Sequence, residues 1–175
     1  GIPCIQDKNT GSLFYPVKFE EKSLDAIISF NNDNIKGIEI ESEMVLLNEK
    51  FSFTELNNKK EYELEISTYS DEIIISKLIF TGMPLIAIDT NGLEIEEKDR
   101  IYCNISVLDP YGQTDGGVSY LKHSAGIKVR GLTSSNYSKK PYSFEFQDTN
   151  GEEVDISLLG LREDGDWILD AMYID

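Results

Sequence analysis

Histidine, cysteine, tryptophan and proline are scarce in this chain of 175 residues, and each scarcity removes a class of chemistry. The one histidine, His123, leaves nothing to build a His-rich zinc site. With no Cys or Ser nucleophile in a recognisable setting, a hydrolase triad has no basis either, and His123 reads as a loop residue. Two cysteines, Cys4 and Cys103, permit just one bridge, of the kind a secreted domain uses. The simpler reading leaves both thiols unpaired, with Cys103 in the core. No stretch approaches the roughly 20 apolar residues that span a bilayer, which predicts a soluble chain without a transmembrane span. Basic residues number 16 against 32 acids, a net charge of -16. A surface of that sign opposes binding to duplex DNA or an anionic membrane, so no nucleic-acid partner is expected.

Helical-period runs are few, and alternating apolar and polar residues dominate. The expected fold is mainly β. Strands are read near Ser12 to Phe19, Leu24 to Phe30, Gly37 to Glu41, Glu43 to Leu47, Glu61 to Thr68 and Glu72 to Phe80. Polar turns at Asn31-Asn32-Asp33-Asn34 and Leu56-Asn57-Asn58-Lys59-Lys60 separate them. Short strands at this spacing predict an immunoglobulin-like β-sandwich over residues 1–82. Thr81-Gly82-Met83-Pro84 interrupts the pattern and places a domain boundary, with a second β-rich domain over residues 83–175. Strands are expected there at Pro84 to Ile88 and Ile101 to Leu108, then a loop from Asp109 to Gly117. Asp148-Thr149-Asn150-Gly151 carries a hairpin signal leading into a strand over Glu153 to Ser157. The same tetrapeptide at Asp89 to Gly92 is attributed to turn chemistry and not to duplication.

One window breaks the acidity: from Lys122 to Lys140 there are five basic residues and no acid. Ile127 and Val129 alternate with Lys128 and Arg130, so one strand turns its aliphatic side inward and both cations outward. Tyr142, Phe144 and Phe146 form an aromatic inner face in the same way. The window reads Gly126-Ile127-Lys128-Val129-Arg130-Gly131, then Thr133-Ser134-Ser135, then Lys139-Lys140-Pro141-Tyr142. It is followed by Leu158-Leu159-Gly160-Leu161, Asp166-Trp167-Ile168-Leu169 and Asp175. With the opening strand Pro84-Leu85-Ile86-Ala87-Ile88-Asp89, this ordered set resembles the CotH spore-coat kinase family, atypical protein kinases that are secreted or surface-associated. Leu132, Ser138 and Asp170 depart from the family's pattern.

The resemblance implies that residues 83–175 are the truncated N-terminal lobe of a kinase-like fold. In the family the chain continues past the position of Asp175 into a helical region that carries the catalytic and metal-binding acids. ATP and Mg are therefore cofactors expected of a complete protein and not of this chain alone, which should be inactive by itself. The missing C-terminal region would be its partner. The chain starts at Gly1 and not Met, so a removed signal or lipoprotein segment and a secreted or cell-surface location are expected.

Phosphoryl transfer rests on cations and metal that offset charge on the transferring group. Lys128, Arg130, Lys139 and Lys140 are the candidate cations, and Thr133 and Ser134 the candidate hydroxyls and backbone donors for phosphate. Set against this is a solvated strand face, or ion pairs with the surrounding acids. Gly131 calls for unusual backbone geometry or close approach. Asp164-Gly165-Asp166 and Asp148-Thr149-Asn150-Gly151 do not complete a calcium loop and are read as turns. Trp167 is assigned to core packing. The alternative function is a non-catalytic β-sandwich module for adhesion or for binding glycan or protein, with Tyr111 in the long loop as its exposed aromatic. The apolar run Ile168, Leu169, Met172, Tyr173 and Ile174 predicts self-association through an exposed C-terminal strand.

Overall fold

The computed structural model describes residues 1–56, 60–112, 117–131 and 138–171, and among them every regular element is a β-strand. Strand β7 (Glu61–Thr68) shows why. Tyr62, Leu64, Ile66 and Thr68 are buried while Glu61 and Glu63 are exposed, the two-residue period of a half-buried strand. It pairs antiparallel with β8 (Ile73–Thr81) and with β4 (Ile35–Ile40). Adding β1 (Ile5–Gln6), β2 (Leu13–Pro16) and β5 (Glu43–Val45) gives a six-stranded sheet in the order β1-β2-β8-β7-β4-β5. Within it β2 runs parallel to β8, from Leu13 opposite Leu78 to Pro16 opposite Thr81.

A separate antiparallel ladder of β3 (Ser23–Ile27) and β6 (Lys50–Thr54) covers this sheet. Leu24 and Ala26 of one strand and Phe51 and Phe53 of the other face inward. The Phe53 ring meets Tyr62 and Phe80 edge to face at 5.2 and 4.9 Å. Such contacts add about 0.5–1.5 kcal/mol each to the area they bury. The sequence reading had not placed a strand at β6, although Lys50-Phe51-Ser52-Phe53-Thr54 alternates cleanly.

Residues 84–171 build a second core on a five-stranded antiparallel sheet, ordered β13-β12-β11-β10-β9. The strands are β9 (Leu85–Asp89), β10 (Ile101–Asp109), β11 (Ser119–Val129), β12 (Tyr142–Phe146) and β13 (Asp166–Leu169). Cys103, Ile105, Ala125, Ile127, Phe144 and Phe146 are fully buried on its inner face. Strand β11 starts earlier than its basic segment suggested, at Ser119. His123 lies inside it and not in a loop, its ring edge-on to Phe146 at 5.7 Å. The expected strand over Glu153 to Ser157 is reduced to two isolated bridges, Gln147 to Glu153 and Ile156 to Asp164. Val154 and Ile156 pack on the core there, while Glu152, Glu153 and Asp155 alternate with them in a region already rich in acids. The turn before it forms as expected, with the Asp148 carboxylate accepting from the backbone N–H of Asn150 at 2.8 Å and of Glu152 at 2.9 Å.

The two cores share no residue. Polar contacts join the units: the Tyr111 hydroxyl accepts from the Phe19 N–H at 3.0 Å and donates to the Gly82 carbonyl at 3.1 Å. Lys8 pairs with Asp89 at 3.0 Å. Both thiols are free, Cys4 exposed and Cys103 buried. No helix among the described residues is long and apolar enough to cross a membrane.

Candidate functional site

The candidate residues lie on the outer face of the second sheet, and strand register decides what meets there. Lys128 stands opposite Ser143, with Gly126 opposite Glu145 one pleat away. Arg130 extends the ladder by donating its N–H to the Pro141 carbonyl at 2.9 Å. Proline has no N–H to return, so regular pairing ends there. Gly131 then takes φ 92°, which glycine adopts without the penalty a Cβ imposes. Ile127 and Val129 are buried, so Lys128 and Arg130 project from the other face, as their alternation requires. Lys139 is exposed and Lys140 half-buried next to buried Pro141. The chain thus gathers Arg130, Lys139 and Lys140 at one end of the β11–β12 pair, with Lys128 one pleat further in. Thr133 and Ser134 lie outside the described residues.

These four cations have no acid within ion-pairing distance among the described residues. By contrast Lys8, Lys36, Lys50, Lys77, Arg100 and Arg162 all pair with carboxylates. Among the described residues Lys18 and Lys98 are also without an acid at ion-pairing distance, but they stand singly in the sequence, whereas this window holds four such charges. In a chain with twice as many acids as bases, such a cluster is a local positive potential.

Further along the same face the sign reverses. Glu145 of β12 pairs across the ladder with Asp166 of β13, and Glu153 joins them, so that their carboxylate oxygens lie within 4.8 Å of one another. Arg100, just before β10, lies over Gly126, where a Cβ would come within 3.3 Å of its Cδ. Its guanidinium reaches Glu145 at 3.1 Å and Asp166 at 2.9 Å, and approaches the Ser143 hydroxyl at 3.4 Å. Loss of hydration, with the charges of Asp166 and Glu145 adding to it, raises the Glu153 carboxyl above its ordinary pKa. The sequence reading missed this trio because it treated Glu145 as an outward polar residue and Asp166 as part of a turn. Only the β12–β13 register joins them.

As a metal centre the trio is poorly suited. Glu145, Glu153 and Asp166 supply oxygen ligands of the kind Mg²⁺ or Ca²⁺ takes, but Arg100 already neutralises two of them. A divalent ion there would have to displace the guanidinium. The residues present do not fit a metal at the acidic end.

Two further residues fall into place. The Trp167 indole N–H donates to the Asp164 carbonyl at 2.9 Å and its ring packs on the second core. The Tyr111 ring is exposed, but its hydroxyl is taken up by the backbone of Phe19 and Gly82. Exposed Tyr102 and Tyr120 lie on the outer sheet face, with Asn104, Ser106 and Ser124 between them. No protein-family model, curated protein or solved structure matches the chain.

Proposed function

We propose that this chain is the amino-terminal part of a secreted or surface-associated CotH-like protein. On this reading an immunoglobulin-like sandwich precedes the β-rich lobe of a kinase-like domain. Lys128, Arg130, Lys139 and Lys140 form one wall of a site for nucleotide phosphates. The observation that carries the reading is the run of these four cations along the end of the β11–β12 pair with no acidic partner among the described residues. The helical region that the resemblance implies would supply the metal-binding acids, and the free edge of β13 is where that region, or another copy, would attach. ATP and Mg belong to the assembled protein. When bound, the metal would offset charge on the transferring group, and the residues of this chain hold and orient the phosphates.

Calorimetry with ATP, with and without magnesium, tests the reading. One cationic wall should bind ATP in roughly the millimolar range, less well when magnesium neutralises part of the phosphate charge and less well in salt. Arg130→Ala and the pair Lys139→Ala with Lys140→Ala should each weaken it several-fold. Tight magnesium-dependent binding would mean that the metal half is already present in this chain. No binding, or binding indifferent to Arg130, refutes phosphate contact.

The outer-face tyrosines favour a second reading, a non-catalytic adhesion module that binds glycan. Tyr102 and Tyr120 offer stacking surfaces about 20 Å apart, six residues along a strand pair, with Asn104, Ser106, Ser124 and the cation Lys122 between them. A glycan array decides it: retained sugar binding that Tyr102→Ala and Tyr120→Ala leave intact would dismiss this face.

A further inference from the structure

Among the described residues, the six-stranded sheet has a stretch of strand edge that nothing else pairs with. Ile73, Ile74 and Ile75, at the start of β8, are 61%, 41% and 59% exposed. On one side they pair with β7, Ile73 opposite Ser67 and Ile75 opposite Glu65. On the other side β2 reaches only from Leu78 to Thr81. The Ser76 hydroxyl donates to the Gly11 carbonyl at 2.8 Å, and the turn that contains Gly11 closes the gap above it. Among the described residues no strand flanks Ile73 to Ile75 there. Edges of this kind are normally guarded by an inward charge, a proline or a bulge, and three consecutive isoleucines provide none of these.

The ends of the segment carry opposite charge: Asp71 and Glu72 precede the isoleucines and Lys77 follows them. That arrangement is complementary to itself. We propose that a second copy of this chain adds its own β8 antiparallel to this edge, with Ile74 opposite Ile74 on the two-fold axis. Ile73 of each copy then meets Ile75 of the other, a β-branched cross-strand pair, and Asp71 meets Lys77. A two-fold axis requires such reciprocal contacts. The present partners of these charges, Lys36 for Asp71 and Glu61 for Lys77, are exposed ion pairs that exchange at little cost. The turn at Gly11 limits the added ladder to a few residues, which places the contact in the weak, reversible class.

Sedimentation velocity on the whole chain, from about 10 µM to about 1 mM, should show the mass rising from 19.8 kDa toward twice that value. Ile75→Lys should keep it monomeric with unchanged thermal stability. Disulfide trapping reads the register. In a Cys4→Ser background, oxidised Ile74→Cys should cross-link to itself. Ile73→Cys and Ile75→Cys should each fail alone and cross-link when mixed, since only opposed residues bring their Cα atoms within bridging distance. Monomer throughout the range overturns the proposal, whether or not the edge accepts an unrelated strand peptide. So does cross-linking indifferent to position, or association abolished by Ile168→Lys and not by Ile75→Lys, which would assign the contact to β13.

Discussion

Removing Arg100 should expose how the acidic trio is held together. Arg100→Met keeps much of the apolar stem over Gly126 and deletes the cation that touches Glu145 and Asp166. The Arg100 and Glu145 side chains are 25% and 22% exposed, while Asp166 is 63% exposed, so this is neither a buried pair nor a surface one. Breaking a fully buried pair costs about 3–5 kcal/mol and an exposed one about 0.2–1 kcal/mol, which places this loss near 1–2 kcal/mol. For a chain of this length that is a fall in Tm of roughly 2–8 °C. Circular dichroism melts at about pH 7 and about pH 4 provide the assay, because the Glu153 carboxyl, held above its ordinary pKa, loses its charge in acid and with it goes repulsion that the variant uncovers. The deficit should therefore shrink in acid. Adding Glu145→Gln and Asp166→Asn to the variant should recover part of the loss, and millimolar Mg²⁺ or Ca²⁺ should raise the Tm of Arg100→Met more than that of the parent. A deficit equal at both pH values, or no deficit, refutes the view of Arg100 as the internal counter-ion of this cluster.

Glu153→Gln should raise thermal stability at neutral pH. A carboxyl whose pKa is raised by folding disfavours the native state once it ionises, so the advantage should fade as pH falls through the raised pKa and be gone below its ordinary value of 4.5. Melts across that range check the sign, and a constant advantage would contradict it. Tyr111→Phe removes both hydrogen bonds that this hydroxyl makes to the first unit, at a cost of about 1 kcal/mol. Hydrogen exchange should show the Phe19 amide losing protection while the two cores keep theirs. In a Cys4→Ser background Cys103 should resist thiol reagents until the chain unfolds, because it is buried and its thiol pKa is pushed up to about 11. Labelling of the native state would dispute that burial.

Strands whose alternation survives in the side chains were legible from the sequence. Strand β7 occupies the stretch its pattern marked, and β12 follows its aromatic alternation. Strand β11 was legible only where Ile127 and Val129 supply an apolar face. Toward Ser119 its inward positions include His123 and Ala125, so apolar periodicity fades although the ladder continues. Cation placement followed from the same alternation. The acidic trio did not, because Glu145 and Asp166 lie on different strands and Arg100 sits at the end of an acidic run that suggests only solvated surface. Local pattern marks which face a side chain takes, and strand order, set by long-range packing, determines its neighbours.

The parallel contact between β2 and β8 has a consequence for how the chain is made. Gly11 and Ser76 touch although 65 residues separate them, and Leu13 to Pro16 have no place in the sheet until Leu78 to Thr81 have been synthesised. Pairings of such sequence separation close slowly, since the entropy of the long loop is lost before the contact rewards it. On the ribosome the amino-terminal strand therefore waits through most of the first unit's synthesis, with Leu13, Tyr15 and Val17 exposed to solvent and to chaperones. The first core can close only after its last strand has emerged, so its folding is post-translational with respect to its own first residues.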